Sequence, residues 1–119
     1  MLNNYAYYLA IKGIELEKAA RMAAQAVALQ PEAPYILDTY GYILYLQKNY
    51  TLAEIYLRKA IENSADNPQS RFTYLMHHSV VLEEMGKVDE AIEWLEKELT
   101  TAPNEEIRVR IEHLKKLQK

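Results

Sequence analysis

Three alanines, Ala19, Ala53 and Ala91, each stand near the start of an amphipathic stretch and are each followed by the same apolar pattern. Ala19 and Ala53 are 34 positions apart, and Ala26 and Ala60 repeat that step. A repeat of about 34 residues with helix–turn–helix content restricts the chain to stacked helical hairpins, each burying its apolar face only against its neighbours. Such a chain presents a surface for holding something and is seldom a catalyst.

Punctuation along the chain predicts seven helices. The first spans 2–12 and breaks near Gly13. The second spans 16–29 and stops before Pro31, because proline lacks the amide that a helix interior needs. The third opens at Pro34, which suits a first helical position, and ends near Gln47. Thr51-Leu52-Ala53-Glu54 reads as a capping box opening the fourth, which ends near Asn63. Asn67-Pro68 opens the fifth, which ends near Met85 at Gly86. The sixth runs from Val88 to Thr100. Asn104 caps the seventh, with Glu105 and Glu106 favourably placed in its first turn. Leu37, Tyr40, Gly41 and Leu44, and likewise Ala53, Leu57, Ala60 and Ile61, form one-sided helical stripes, and no strand-like alternation of useful length competes.

Superposing the hairpins shows why they should nest. Their first helices place Leu2, Leu37 and Leu75 at one site, then small Ala6, Gly41 and Ser79, then Leu9, Leu44 and Leu82. Their second helices place the three opening alanines, then Ala23, Leu57 and Leu95, then Val27, Ile61 and Leu99. Small residues let two helices approach, and the leucines fill the groove beside them. A large side chain at Gly41 or Ala53 should clash. From Ala53 to Ala91 is 38 positions, so four residues are inserted around 67–72; four residues are about one turn, which predicts that the fifth helix starts one turn early. Glu98 replaces the small residue of Ala26 and Ala60 and is expected to face the last helix or solvent.

The stretches Asn3-Asn4-Tyr5-Ala6-Tyr7-Tyr8-Leu9-Ala10, Asp38-Thr39-Tyr40-Gly41-Tyr42 and Gly86-Lys87-Val88-Asp89-Glu90-Ala91 resemble the tetratricopeptide repeat family, and more particularly its bacterial members. The resemblance implies an all-α, right-handed superhelix of three hairpins (about 2–33, 34–67 and 68–103) with a capping helix at about 104–118, together forming one domain over 1–119. It also implies a concave face, lined by the first helix of each pair, that binds peptides or protein segments. On that face the family geometry puts Asn3, Tyr7 and Ile11 from the first helix. Tyr35, Asp38, Tyr42 and Tyr45 come from the third, and Met76, His77, Val80 and Glu84 from the fifth. Tyrosine suits binding surfaces because it offers flat apolar area and one hydroxyl at low entropic cost. Repeats of this family that clamp the C-terminal carboxylate of chaperones use lysine, arginine and asparagine. The corresponding places here hold Asp38, Thr39, Tyr42, Glu83 and Glu84, which would repel an acidic tail.

Other features argue against chemistry. With no cysteine, neither a disulfide frame nor a thiolate zinc site is available. The net charge of -3 speaks against a general grip on nucleic acid. No apolar run approaches the roughly 20 residues of a membrane-spanning helix, so no direct membrane insertion is expected. His77 and His78 are neighbours on a helix and point about 100° apart, which predicts one packed and one surface histidine and no metal site. Trp94 is expected to pack against the last helix. Ile107, Ile111 and Leu114 stripe the seventh helix as a lid, whose basic residues form a solvated face. The reading is a soluble, non-catalytic protein-interaction scaffold without cofactor or metal, the compartment left open between cytoplasm and periplasm. The first helix lacks a cap, which suggests a piece of a longer array. The alternative role is therefore structural: self-association, as a homodimer, or docking through that helix.

Overall fold

In the computed structural model, residues 2–13, 15–64 and 67–118 are described, and the side chains of Leu2, Asn3, Ala10 and Ile11 lie outside the described set. The helices are α1 (Leu2–Lys12), α2 (Leu16–Leu29), α3 (Pro34–Leu46), α4 (Tyr50–Asn63), α5 (Pro68–Glu84), α6 (Val88–Leu99) and α7 (Glu105–Lys116). No strand occurs among the described residues.

The helix ends follow backbone chemistry. Gly13 and Gly86 sit at φ +68° and +76°, the left-handed conformation that closes α1 and α5. After α5, the Gly86 N–H donates to the Glu83 carbonyl and the Lys87 N–H to that of Leu82, a Schellman closure. The turn from α3 to α4 has the same bonds, Lys48 to Tyr45 and Asn49 to Leu44, but there the left-handed residue is Lys48, at φ +65°. Asn67 and Asn104 cap α5 and α7 through side-chain oxygens that accept from the amides of Ser70 and Ile107, each at 3.1 Å.

The capping box expected at Thr51 does not form. The tight Schellman turn starts α4 at Tyr50, so Thr51 is already inside the helix, and Asn49 at the cap makes no side-chain bond. Glu54 instead bonds to Arg58 and to His78.

Helices pair as α1 with α2, α3 with α4 and α5 with α6, and α7 closes on α6. Successive first helices also touch, α1 against α3 and α3 against α5, whereas among the described residues no two second helices make contact of that extent. The stack therefore curves, with α1, α3 and α5 as its inner, concave layer. Ala19, Ala53 and Ala91 are fully buried, as are Ala6 and Leu57. A Cβ on Gly41 would lie 2.7 Å from Leu57 Cγ, which is the close approach that the small residue permits.

α5 has 17 residues against 13 in α3, so the four inserted residues extend it by one turn at its start. That turn explains the fate of Glu98, which lines a pocket shared with Glu106 and Ile107 of the last helix. It is buried, and Arg71, carried on the extra turn, donates to it at 2.8 Å. The insertion and the loss of the small residue are thus two sides of one contact. Trp94 packs edge-on to His78 of α5, ring centroids 5.2 Å apart, and lies partly buried against the core that includes Ile107, Ile111 and Leu114.

Candidate functional site

The inner layer carries an open cleft of about 260 Å³ that crosses all three first helices. Asn4 and Tyr7 of α1, Tyr35, Asp38 and Thr39 of α3, and Ser70, Thr73 and Tyr74 of α5 line it. Helical spacing explains the α3 set, since residues three and four apart share a face. Tyr7 and Tyr35 are 38% and 53% exposed, so both rings meet solvent, whereas Asp38 is 5% exposed. Thr39 is turned back on its own helix, its hydroxyl donating to the Tyr35 carbonyl at 3.0 Å.

Asp38 is held from behind. His77 Nδ1 of α5 lies 2.9 Å from its Oδ1 and 3.1 Å from its Oδ2, so one ring N–H is shared between both carboxylate oxygens. His77 in turn stacks on Tyr42, centroids 4.5 Å apart. From Tyr42 a row of rings continues to Tyr45 at 5.9 Å and to Tyr50 of α4 at 6.0 Å. Burial raises the Tyr45 phenol above its ordinary value, and the charge of Glu84 adds to this. Burial likewise raises Tyr74, with the Asp38 charge contributing. Both hydroxyls therefore stay protonated at neutral pH and remain hydrogen-bond donors.

The groove residues read from the sequence thus divide. Tyr7, Tyr35 and Asp38 meet in the cleft. Tyr42, Tyr45 and His77 form the adjoining ring row, half-buried. Met76 and Val80 are partly buried on α5. The side chains of Asn3 and Ile11 lie outside the described set. Sequence reasoning passed over Tyr74, Ser70 and Thr73. The four-residue insertion signals Ser70, which stands on the added turn, whereas Thr73 and Tyr74 take the places that Tyr35 and Ile36 hold on α3.

The two adjacent histidines part company as their spacing requires. His78 is 1% exposed and its Nε2 lies 3.0 Å from Glu54 Oε2. Burial lowers its pKa, and the hydrogen bond to Glu54 only partly opposes this, so the ring is neutral at pH 7. A neutral ring that donates from Nε2 leaves Nδ1 as a bare acceptor, and that atom is buried without a partner. For Glu54 burial acts upward, but the hydrogen bonds from Arg58 and His78 outweigh it and hold the carboxyl below its usual range. Among the described residues no group of three or more histidines, aspartates or glutamates is placed to hold a metal ion. Among the described residues no helix is long and apolar enough to cross a membrane.

This curved stack of helical hairpins matches known repeats. Residues 9–68 match one tetratricopeptide repeat family model and residues 72–105 match a second. The chain belongs to the tetratricopeptide repeat family, and its three hairpins with a closing helix form that family's superhelix. Among solved structures, the N-terminal domain of stress-induced protein-1 (STI-1) from C. elegans aligns with a TM-score of 0.76 over 97% of this chain and 98% of that one. At 14% identity that likeness is one of fold. No curated protein matches the chain. Repeats of this family generally mediate protein–protein interaction.

Proposed function

We propose that this chain is a non-catalytic scaffold that binds a peptide or protein segment along its concave face, in the tyrosine-lined groove formed by α1, α3 and α5. The observation that carries this reading is the cleft itself. It spans all three first helices and is walled by three tyrosines, two of them open to solvent. Exposed aromatic faces on a rigid, preformed layer favour binding because little conformational entropy is lost when a partner covers them.

The test is a random peptide display library panned on the immobilised full chain, followed by affinity measurement of the recovered peptides on the double variant Tyr7→Ala/Tyr35→Ala. Both rings are exposed, so the fold should survive their removal. Loss of two such anchors is expected to weaken binding by about tenfold or more. Failure to recover any peptide, or unchanged affinity in the double variant, sinks the groove.

A second reading has its own observation. Tyr5 and Tyr8 on α1 are 44% and 52% exposed and stack on each other with centroids 6.4 Å apart. They offer an aromatic patch for self-association or for docking through α1. Sedimentation at several concentrations separates the two readings: a firm monomer removes self-association, and a concentration-dependent dimer supports it.

A further inference from the structure

The cleft differs from a general peptide groove in its size and its charge. About 260 Å³ lies below the roughly 300–1,000 Å³ of small-molecule sites and suits one side chain with its adjoining backbone. Its lining contains three phenol rings and a single ionisable carboxylate, that of Asp38; no lysine or arginine lines it among the described residues. We propose that this cleft receives the cationic side chain of a lysine or arginine from the bound segment, its aliphatic stem against Tyr7, Tyr35 and Tyr74 and its charge toward Asp38. The inference rests on the groove reading above and specifies what that groove selects.

Three features support it. Aromatic faces are electron-rich and attract cations, and the protein already uses tyrosines in this way. Lys18 stands over Tyr5 at 5.6 Å, Lys12 over Tyr8 at 5.9 Å and Lys59 over Tyr56 at 5.8 Å. Among the described residues no lysine or arginine stands over the exposed rings of Tyr7 and Tyr35, whereas Tyr74 is 6% exposed and contributes only the part of its ring that lines the cleft. Second, Asp38 is oriented: His77 Nδ1 lies within hydrogen-bond reach of both carboxylate oxygens, which fixes the plane of the carboxylate at the cleft. Its position at the cleft floor, largely shielded from water, strengthens its pull on an entering cation. Third, the charge is felt across the cleft, since it helps to raise the Tyr74 phenol after burial has done so. The same layer adds Glu84, whose charge acts on Tyr45. An acidic side chain would meet repulsion throughout.

The experiment uses peptides recovered from the random display library on the full chain. Each is resynthesised with its lysine or arginine replaced by norleucine, which keeps an aliphatic chain and removes the charge. Affinities are read by fluorescence anisotropy on the wild type and on Asp38→Asn, whose amide oxygen can still accept from His77. Recovered peptides should share a lysine or arginine. The norleucine change should weaken binding to the wild type about tenfold or more, and to Asp38→Asn by no more than about twofold. Peptides that bind the groove without cation enrichment, or a norleucine effect equal on both proteins, overturn the cation preference and leave the groove intact. If binding is indifferent to Tyr7→Ala/Tyr35→Ala, or no peptide is recovered, the groove reading fails and this inference with it.

Discussion

Gly41 shows how closely single residues are constrained here. A Cβ at this position would lie 2.7 Å from Leu57 Cγ, 2.9 Å from Cδ2 and 3.2 Å from the Leu57 backbone nitrogen. Leu57 is fully buried and has nowhere to swing. Overpacking costs about 1–3 kcal/mol, which exceeds the roughly 1 kcal/mol that alanine gains over glycine inside a helix. Gly41→Ala is therefore expected to lower stability by up to about 2 kcal/mol in urea denaturation, and Gly41→Leu to unfold the domain. Lys48 presents the opposite case. It occupies the left-handed turn position that Gly13 and Gly86 hold in the other hairpins. Left-handed backbone costs a non-glycine residue about 1–2 kcal/mol, partly offset by the greater freedom glycine has when unfolded. Lys48→Gly is expected to stabilise by about 0.5–1 kcal/mol in the same denaturation measurement.

At the scale of elements, α4 and α5 are joined by a polar contact inside an apolar interface. His78 is buried against Trp94 and donates to Glu54. Its pKa in the folded state lies below the ordinary 6.5, because burial disfavours the charged ring. The unfolded chain therefore takes up this proton first as the pH falls. Stability from His78 is complete above about pH 6.5 and declines as the pH drops toward the folded-state value. Glu54, whose pKa is also lowered, loses its contribution only further down, below the ordinary 4.5. Thermal melts should fall between about pH 7.5 and pH 5.5 in the wild type. They should fall less in His78→Gln, whose amide donates to Glu54 without titrating, and equal slopes would remove His78 as the cause.

Helix existence and order were legible because glycine, proline and asparagine punctuate most of the helix ends, Lys48 in the turn after α3 being an exception. The extra turn of α5 was legible as a four-residue shift. Its consequence was not, because nothing local to Glu98 announces Arg71 as its partner. The same holds for the site. Tyr7 and Tyr35 could be read from the face they share with other first-helix positions, whereas Tyr74 takes the place of buried Ile36 on α3 and so reads from the sequence as core.

At the scale of the whole molecule, the chain is a stack whose end must be sealed. Ile107, Ile111 and Leu114 of α7 are buried in one cluster with Ala91, Ile92 and Leu95. Arg110 ties the same helix to α5, meeting Glu83 at 2.7 Å and the Ser79 hydroxyl at 3.0 Å. Burying three such aliphatic side chains is worth about 5–9 kcal/mol, comparable with the 5–15 kcal/mol net stability of a typical domain. Truncation after Pro103 is expected to leave a chain that melts below room temperature or aggregates, as circular dichroism and gel filtration would show. A truncated form with an unchanged melting point would mean that α7 is an ornament rather than a seal.

Spacing of small and large apolar residues along the chain was enough to specify seven helices, their pairing into hairpins and the residues at which they touch. Those features follow from local backbone preference and from a repeat that places equivalent side chains at equivalent contacts. Curvature brings distant turns of α1, α3 and α5 side by side. Only that assembly decides that Asp38 is turned by His77 into a cleft of tyrosines, that Glu98 answers Arg71 and that His78 is sealed against Glu54. Each of these pairs joins residues more than 20 positions apart, and the bonds between them exist only once the layers have closed.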